Sequence, residues 1–467
     1  MSSRLQNSNE RLKTYQRYLK KEQIYCPPKR LESETEGQLW EAGNYVLGPA
    51  LNAFVIWVLK EAERSGKKRL YFLARDGYFM YRAAQIYTEK FHLDVECRYV
   101  SCSRYSLRIP VFHLDEEEAM EYICRDSIGV NLNRMMNRAG LTREEKQEVL
   151  AEIDRIGQEH ETIPYASLKK VKETLVASNT FMNYMRRHSR DAMPVLADYL
   201  KQEGFLDGTD DAVVDSGWVG SMQKTLNQVL AYMGRETKLE GYYWGLYELP
   251  PGVERALYHC YYFSPEGQLR EKVYFNNNLF EAVFSAPHGM TLRYEKKKDK
   301  WEPVYSRISQ ERKTYMERLE NILITYTKQA AEELFEKNGS VVGADCERER
   351  RAMKKVLKLF MGKPTKAEAE ACGRLTFCDD VLEYENHQLA VKMDEKDLED
   401  NHFLNKILVM LGVRRQQIKE SAWYEGSAVR FSKRPGYHLI QYGMYKYLLY
   451  MRQMYMWRRR HVQEKEG

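Results

Sequence analysis

Residues 70–84 read LYFLARDGYFMYRAA. An unbroken apolar and aromatic run such as LYFLA, without polar alternation, is the pattern of a strand covered on both faces in the middle of a parallel sheet. The Arg75-Asp76-Gly77 triplet ends the run, and the spacing then predicts a helix over Tyr78 to Lys90. VECRYV, residues 95–100, predicts a second strand. Strand, loop, helix and strand in that order begin a doubly wound α/β sheet. Just upstream, Tyr45 to Leu59 (YVLGPALNAFVIWVL) is the longest apolar stretch, shorter than the about 20 residues that span a bilayer and interrupted by Gly48, Pro49 and Asn52. It predicts a buried helix from near Pro49 to about Ser65, stopped by Gly66.

A second stretch, AVVDSGWVGSMQKTL at 212–226, repeats the pattern. Asp211 to Asp215 predicts a buried strand, followed by a loop and a helix from about Met222 to Met233. Gly241 to Leu249 (GYYWGLYEL) and Tyr258 to Ser264 (YHCYYFS) predict further strands. Between the two stretches, Asp115 to about Gly204 is helical throughout, so a large helical insertion divides one α/β core. Insertions beside a sheet's carboxyl edge shape clefts, and that role is expected of this one. Residues 272–295 read as loop-rich, whereas 309–337, 347–361 and most of the chain beyond them read as helices. The expected organisation is a polar segment 1–39, an α/β core in two parts, 40–114 and 205–304, the insertion 115–204, and a mainly helical region 305–467.

Of 467 residues, 43% are hydrophobic and 30% charged, with 27 Gly and 13 Pro, which supports a packed core and argues against a disordered chain. Lys and Arg total 73 against 67 Asp and Glu, and a net charge of +6 is too diffuse for a dedicated nucleic-acid binder. No nucleic-acid partner is expected. Cys26, Cys97, Cys102, Cys124, Cys260, Cys346, Cys372 and Cys378 form no CxxC pair and no zinc spacing, which points to reduced thiols and a cytoplasmic protein. The polar start MSSRLQNSNERLKTYQRYLKKEQ lacks the apolar segment of a signal peptide.

Two loops carry the chemistry. After the strand ending in Asp215, the small residues Ser216, Gly217, Gly220 and Ser221 precede a helix, so backbone N–H groups and the helix N-terminus can cradle a phosphate. The loop has neither the lysine of a Walker sequence nor GxGxxG spacing. Asp215 suits the 2- and 3-hydroxyls of a ribose phosphate; the alternative is a ligand-free strand-to-helix turn. After the strand at 70–74, Arg75 and Asp76 would be satisfied by a polyphosphate with bound magnesium, or else by pairing with each other. Arg104 and Arg108 follow the second strand on the same edge and are candidates for diphosphate contact or plain surface charges. Glu281 and Asp76 are candidate general bases, and His288 is a candidate substrate contact or a structural histidine. Trp423 and Glu425 in WYEGS could serve a sugar, though a core tryptophan is the commoner role. The segment YGMYKYLLYMRQMYMWRRRHVQ at 442–463 suits either an anionic membrane or docking on the core.

This order of motifs resembles the phosphoribosyltransferase fold, in which one loop meets pyrophosphate and an acidic loop grips ribose 5-phosphate. More closely, FLARDGY (72–78), VDSGWVGSMQ (214–223), FEAVFSAPHG (280–289) and WYEGS (423–427) together resemble a module of bacterial surface-polysaccharide loci, over roughly residues 40 to 430. That module is similar to glycan phosphoribosyltransferases that build ribofuranose into polysaccharides beside a phosphatase of the haloacid dehalogenase superfamily. The resemblance implies a phosphoribosyltransferase-like parallel sheet core and a magnesium-dependent transfer from phosphoribosyl pyrophosphate to a glycan hydroxyl; the basic aromatic segment 442–463, if it lies on the inner face of a membrane, would bring the protein to a lipid-linked acceptor. Asp215 would bind the ribose hydroxyls, Ser216, Gly217, Gly220 and Ser221 the 5-phosphate, and Arg75, Asp76 and Gly77 the pyrophosphate and its magnesium, with Asp76 as metal ligand. The chain departs from the usual pattern in having Ser216 where a second acid stands and Val219 where Thr is common. It carries no DxDxT aspartate pair, so a phosphatase would be a separate protein. The competing expectations are a sugar-phosphate-binding hydrolase and a non-catalytic assembly scaffold.

Overall fold

The apolar run at residues 70–74 is buried because helices cover both faces of the sheet it joins. A computed structural model describes residues 8–28, 34–127, 129–377, 387–411, 413 and 418–466. Its central feature is a five-stranded, all-parallel sheet of β1 (Arg69–Leu73), β2 (Glu96–Val100), β3 (Asp211–Trp218), β4 (Glu240–Leu246) and β5 (Tyr258–Phe263), in the order β2-β1-β3-β4-β5. Leu70, Phe72, Ala212 and Val214 point to the face packed by the helices Gly48–Arg64 and Gly77–Phe91. Tyr71, Leu73 and Val213 point to the other face, against the helices Asn179–Gln202 and Ser221–Tyr232. Each such large apolar side chain contributes roughly 1.5–3 kcal/mol by burial. The expected α/β class, with a mainly helical remainder, is what the chain adopts.

Strand order fixes where a ligand can sit. The chain leaves β1 for β2 on one side and returns to β3 on the other. The helices following β1 and β3 therefore lie on opposite faces, the arrangement in which open parallel sheets form a crevice between the carboxyl ends of two strands.

Several boundaries differ from the sequence expectation. Helical structure is continuous from Gly37 to Arg64 through a π-helical turn at Gly43–Leu47. This stretch is long and apolar enough to cross a membrane by length and composition, and its apolar window is wholly buried in the fold. β3 does not end at Asp215, because Gly217 and Trp218 continue the pairing with Gly245 and Leu246 of β4. The stretch 272–295 is not loop-rich: it holds the helices Leu269–Tyr274 and Asn277–Phe284 and the first strand of a hairpin, β6 (Thr291–Lys297) with β7 (Lys300–Tyr305). The polar N-terminal segment contributes the helix Ser8–Lys21, whose Leu12, Tyr15 and Leu19 enter the main core. Cys378 lies outside the described residues; the other seven cysteines are free thiols.

The insertion packs around its own core, which includes Phe112, Met135, Val149, Leu175 and Phe181. It reaches the carboxyl edge where Lys224 of the helix after β3 donates to Glu118 at 2.8 Å. Trp423 is fully buried and its indole N–H donates to the Met361 carbonyl at 2.8 Å, so it is a core residue and not a sugar platform. Glu425 is also buried and pairs with Lys446 of the Pro435–Glu466 helix at 3.1 Å. Lys446 donates as well to the Phe275 carbonyl at 3.1 Å, which pins the C-terminal helix to the segment leading into the helix Asn277–Phe284.

Breaking that buried pair leaves an uncompensated charge. Glu425→Ala is expected to lower the free energy of unfolding by about 3–5 kcal/mol in urea titrations. The double variant Glu425→Ala/Lys446→Met is expected to recover much of that loss.

Candidate functional site

β1 runs straight into the first turn. Its Arg75 carbonyl accepts from the Tyr78 N–H at 3.1 Å as the helix Gly77–Phe91 begins, and the Ala74–Arg75 peptide is cis. Gly77 is needed for close packing, since a Cβ there would lie 3.0 Å from the Phe72 carbonyl carbon. Across the crevice, the buried Ser216 donates its hydroxyl hydrogen bond to Asp76 Oδ2. This bond joins the turn after β1 to the end of β3.

The end of β3 is sharply bent. Gly217 has φ +108°, and a Cβ there would meet the Gly245 carbonyl oxygen at 2.6 Å, so only glycine fits. Trp218 follows at φ +67°, an uncommon conformation for a bulky side chain. It is held by Phe263, Phe275 and Phe280 around its ring and by its indole N–H, which donates to Glu281 Oε1 at 2.5 Å. The helix Ser221–Tyr232 then starts at Gly220 without a side-chain cap, and first-turn N–H groups of a helix have no intrahelical partner. The expected loop cradle is thus smaller than the sequence suggested. Ser216 and Gly217 belong to the strand, and the Ser216 hydroxyl is committed to Asp76.

Asp76, Asp215 and Glu281 converge here, each partly accessible to solvent. Burial raises all three pKa values, and the Asp76 charge raises the other two further. Asp215 is pushed up to about 8, first by burial and then by the Asp76 charge, against the pull of a Ser216 backbone hydrogen bond. Glu281 is pushed up to about 7 by burial and by Asp76, with Arg104 and the Trp218 indole opposing. Asp76 is raised by burial, against its bond from Ser216 and the charges of Arg75, Arg104 and Arg312. Burial works against the Arg104 charge, yet Glu281, Tyr122, Asp76 and Asp215 outweigh it and raise its pKa. Its side chain is solvent-accessible while hemmed in by protein, the situation of a residue lining a cleft.

The remaining sequence candidates divide. Arg75 is half-buried and its charge acts on Asp76, Glu281 and His288, so it belongs to the cluster. Arg108 does not join it: its guanidinium lies 4.1 Å from the Tyr122 ring centroid, beside Glu118 and Gln228 at the insertion. His288 has both nitrogens engaged. The Gly289 carbonyl, which can only accept, lies 2.8 Å from Nδ1 and places the proton there; Nε2 then accepts from the Tyr99 hydroxyl at 2.8 Å. Burial, with Arg75 nearby, lowers its pKa, and its ring stacks on Tyr305 with centroids 4.1 Å apart. It is a neutral packing residue beside the site and not a free phosphate donor.

Two members escaped the sequence reading. Arg312, on the helix Gln310–Asn338, donates to Ser285 Oγ at 3.2 Å and acts on Asp76, yet no local motif marks it. Trp218 was visible only as a spacer between glycines.

Among the described residues, no group of three His, Cys, Asp or Glu side chains is assembled to ligate a metal. The cluster nonetheless offers hard carboxylate oxygens, and magnesium typically takes one or two of these together with substrate phosphates. Asp76 fits that lesser role. A perturbed carboxyl alone does not define a site. Glu349, pushed up to about 8 mainly by burial, lines a separate cavity with Tyr25, Asn52 and Tyr87, which none of the cluster's residues lines. No protein-family profile matches the chain, and no curated protein matches it either. Its class rests on the fold and the edge cluster: an α/β protein with a five-stranded parallel sheet and an acidic, arginine-lined crevice at the strand-order reversal.

The Asp215 shift has a consequence for stability. Its carboxyl rises from 3.8 unfolded to about 8 folded, so the folded protein holds an extra proton between those values. The stabilisation from that proton is complete below the unfolded pKa and is lost as pH climbs through the folded one. Asp215→Asn, which keeps the shape without the charge, is expected to match the native protein within about 0.5 kcal/mol near pH 5 and to exceed it by about 1–2 kcal/mol near pH 8.5, after allowance for solvent screening. Urea titrations at the two pH values check this, and an Asn variant no more stable at the higher one contradicts it.

Proposed function

We propose that the chain transfers a 5-phosphoribosyl group from phosphoribosyl pyrophosphate to a glycan hydroxyl, with release of pyrophosphate. The observation that carries this reading is the hydrogen bond from Ser216 to Asp76, which sets the turn after β1 against the end of β3 at the strand-order reversal. A ligand with a phosphate at one end and a diphosphate at the other needs two such neighbouring grips.

In this reading the 5-phosphate sits at the N-terminus of the helix Ser221–Tyr232, against the N–H groups around Gly220 and Ser221. Asp215 accepts from the ribose hydroxyls. Arg75 and Arg104 neutralise the diphosphate, and Asp76 holds its magnesium. Bound magnesium supplies positive charge to the leaving group. The bond from the anomeric carbon to the diphosphate oxygen breaks and its electron pair leaves with pyrophosphate, while the acceptor oxygen bonds to that carbon. Glu281 takes the acceptor proton, and a pKa of about 7 suits a base working near neutrality. Trp218 holds Glu281 in place through its indole N–H. The transition state is oxocarbenium-like, so positioning and charge neutralisation carry most of the catalysis. The product keeps its 5-phosphate, whose removal falls to a separate phosphatase.

Calorimetry with phosphoribosyl pyrophosphate and magnesium tests the reading. Binding is expected, weakened about tenfold or more by Asp215→Ala and by Arg104→Ala. Glu281→Gln is expected to leave that binding within about twofold and to slow acceptor-dependent pyrophosphate release by about 10²–10⁴-fold. No magnesium-dependent binding by the native chain would exclude the proposal, and phosphate release from a sugar phosphate without acceptor would replace it with a hydrolase.

A further inference from the structure

The helix Pro435–Glu466 has two unlike sides. Toward the protein it turns Lys446, Tyr442 over Tyr424 with ring centroids 4.1 Å apart, and Tyr450 over Tyr247 at 5.2 Å. Away from the protein, Tyr437, Ile440, Met444, Met451 and Tyr455 are all exposed. Steps of three, four, seven and four residues keep them on one stripe of a helix, roughly 27 Å long at 1.5 Å per residue. The helix Phe403–Met410 packs beside it and adds Leu404 and Leu408, with Leu411 and Val413 just beyond its end, 65% and 70% exposed. Exposed hydrophobic residues scattered singly need no explanation, but an apolar stripe along one helix, with further exposed apolar residues on the helix packed beside it, marks an interaction surface.

Charge narrows the partner. From Pro435 to Arg460 the sequence has no Asp or Glu. Arg452, Arg459 and Arg460 are exposed on this helix, and Lys433 and Arg434 are exposed immediately before it. A second copy seated on this face would set those cations against one another. An acyl layer topped by anionic groups satisfies the stripe and the cations together, with tyrosines near both ends of the stripe where amphipathic rings favour an interface.

We propose that this two-helix face lies on an anionic lipid bilayer, its apolar stripe at the acyl boundary and its arginines among the headgroup phosphates. The inference stands apart from the reaction assigned above. It does place the bilayer near the carboxyl edge of the sheet, because the same helix is fixed to Phe275 and Tyr247, which follow β5 and β4.

Flotation of the full chain with phosphatidylcholine vesicles, with and without phosphatidylglycerol, tests it. Binding is expected only with the anionic lipid and is expected to weaken about tenfold or more when salt rises from about 0.1 M to about 0.5 M. Ile440→Glu/Met444→Glu and, separately, Arg452→Glu/Arg459→Glu/Arg460→Glu should each reduce it about tenfold or more with thermal unfolding unchanged, since all five side chains are exposed. No flotation, or equal flotation with both vesicle types, overturns the proposal. So does a dimer in sedimentation equilibrium that Ile440→Glu/Met444→Glu dissociates, which would assign the face to a second copy. Because phosphoribosyl pyrophosphate binding is measured separately, either reading can fail without the other.

Discussion

One hydroxyl holds the two sides of the crevice together. Ser216, within β3, bonds to Asp76 in the turn after β1, so that turn and the last residues of β3 are fixed relative to each other. Around that bond three carboxyls share a confined space with arginines drawn from both ends of the chain. Asp76 comes from the turn after β1, Asp215 from β3, Glu281 from a short helix and Arg312 from the helical region beyond the hairpin. Burying acids side by side destabilises a fold unless they hold protons or acquire a cation. The raised pKa values express that frustration, which is expected where binding and not stability has shaped a site.

The sheet was legible because its strands are short apolar runs with few polar interruptions. β1, β2, β4 and β5 fall within a few residues of where periodicity put them, and the all-helical insertion stands where the strand pattern stops. The errors have physical reasons. β3 runs on to Trp218 because Gly217 permits a bend that keeps the ladder with β4 intact, and local sequence cannot show a partner strand. The β6–β7 hairpin was missed because its exposed ends, rich in lysine and glutamate, lack clean alternation. Its buried members, Thr291 and Tyr294, are anchored by long-range bonds to Ser103 and Ser101.

The site was legible in the same uneven way. Arg75, Asp76, Asp215 and Glu281 stand out as polar residues beside or within buried apolar runs, and they meet. Arg108 and His288 looked equivalent to their neighbours in sequence, yet Tyr122 and Tyr99 claim them. Arg312 lies on an ordinary charged amphipathic helix, where nothing distinguishes the arginine that faces an acid from those that face water. Tertiary placement alone selects it.

The insertion between β2 and β3 has an apolar interior of its own in its first part, while its long helix Asn179–Gln202 goes on to cover one face of the sheet. The size and shape of the self-packed part are therefore decoupled from strand registration, much as a tool head is from its handle. That part can grow or shrink without displacing the β1 and β3 turns beneath it.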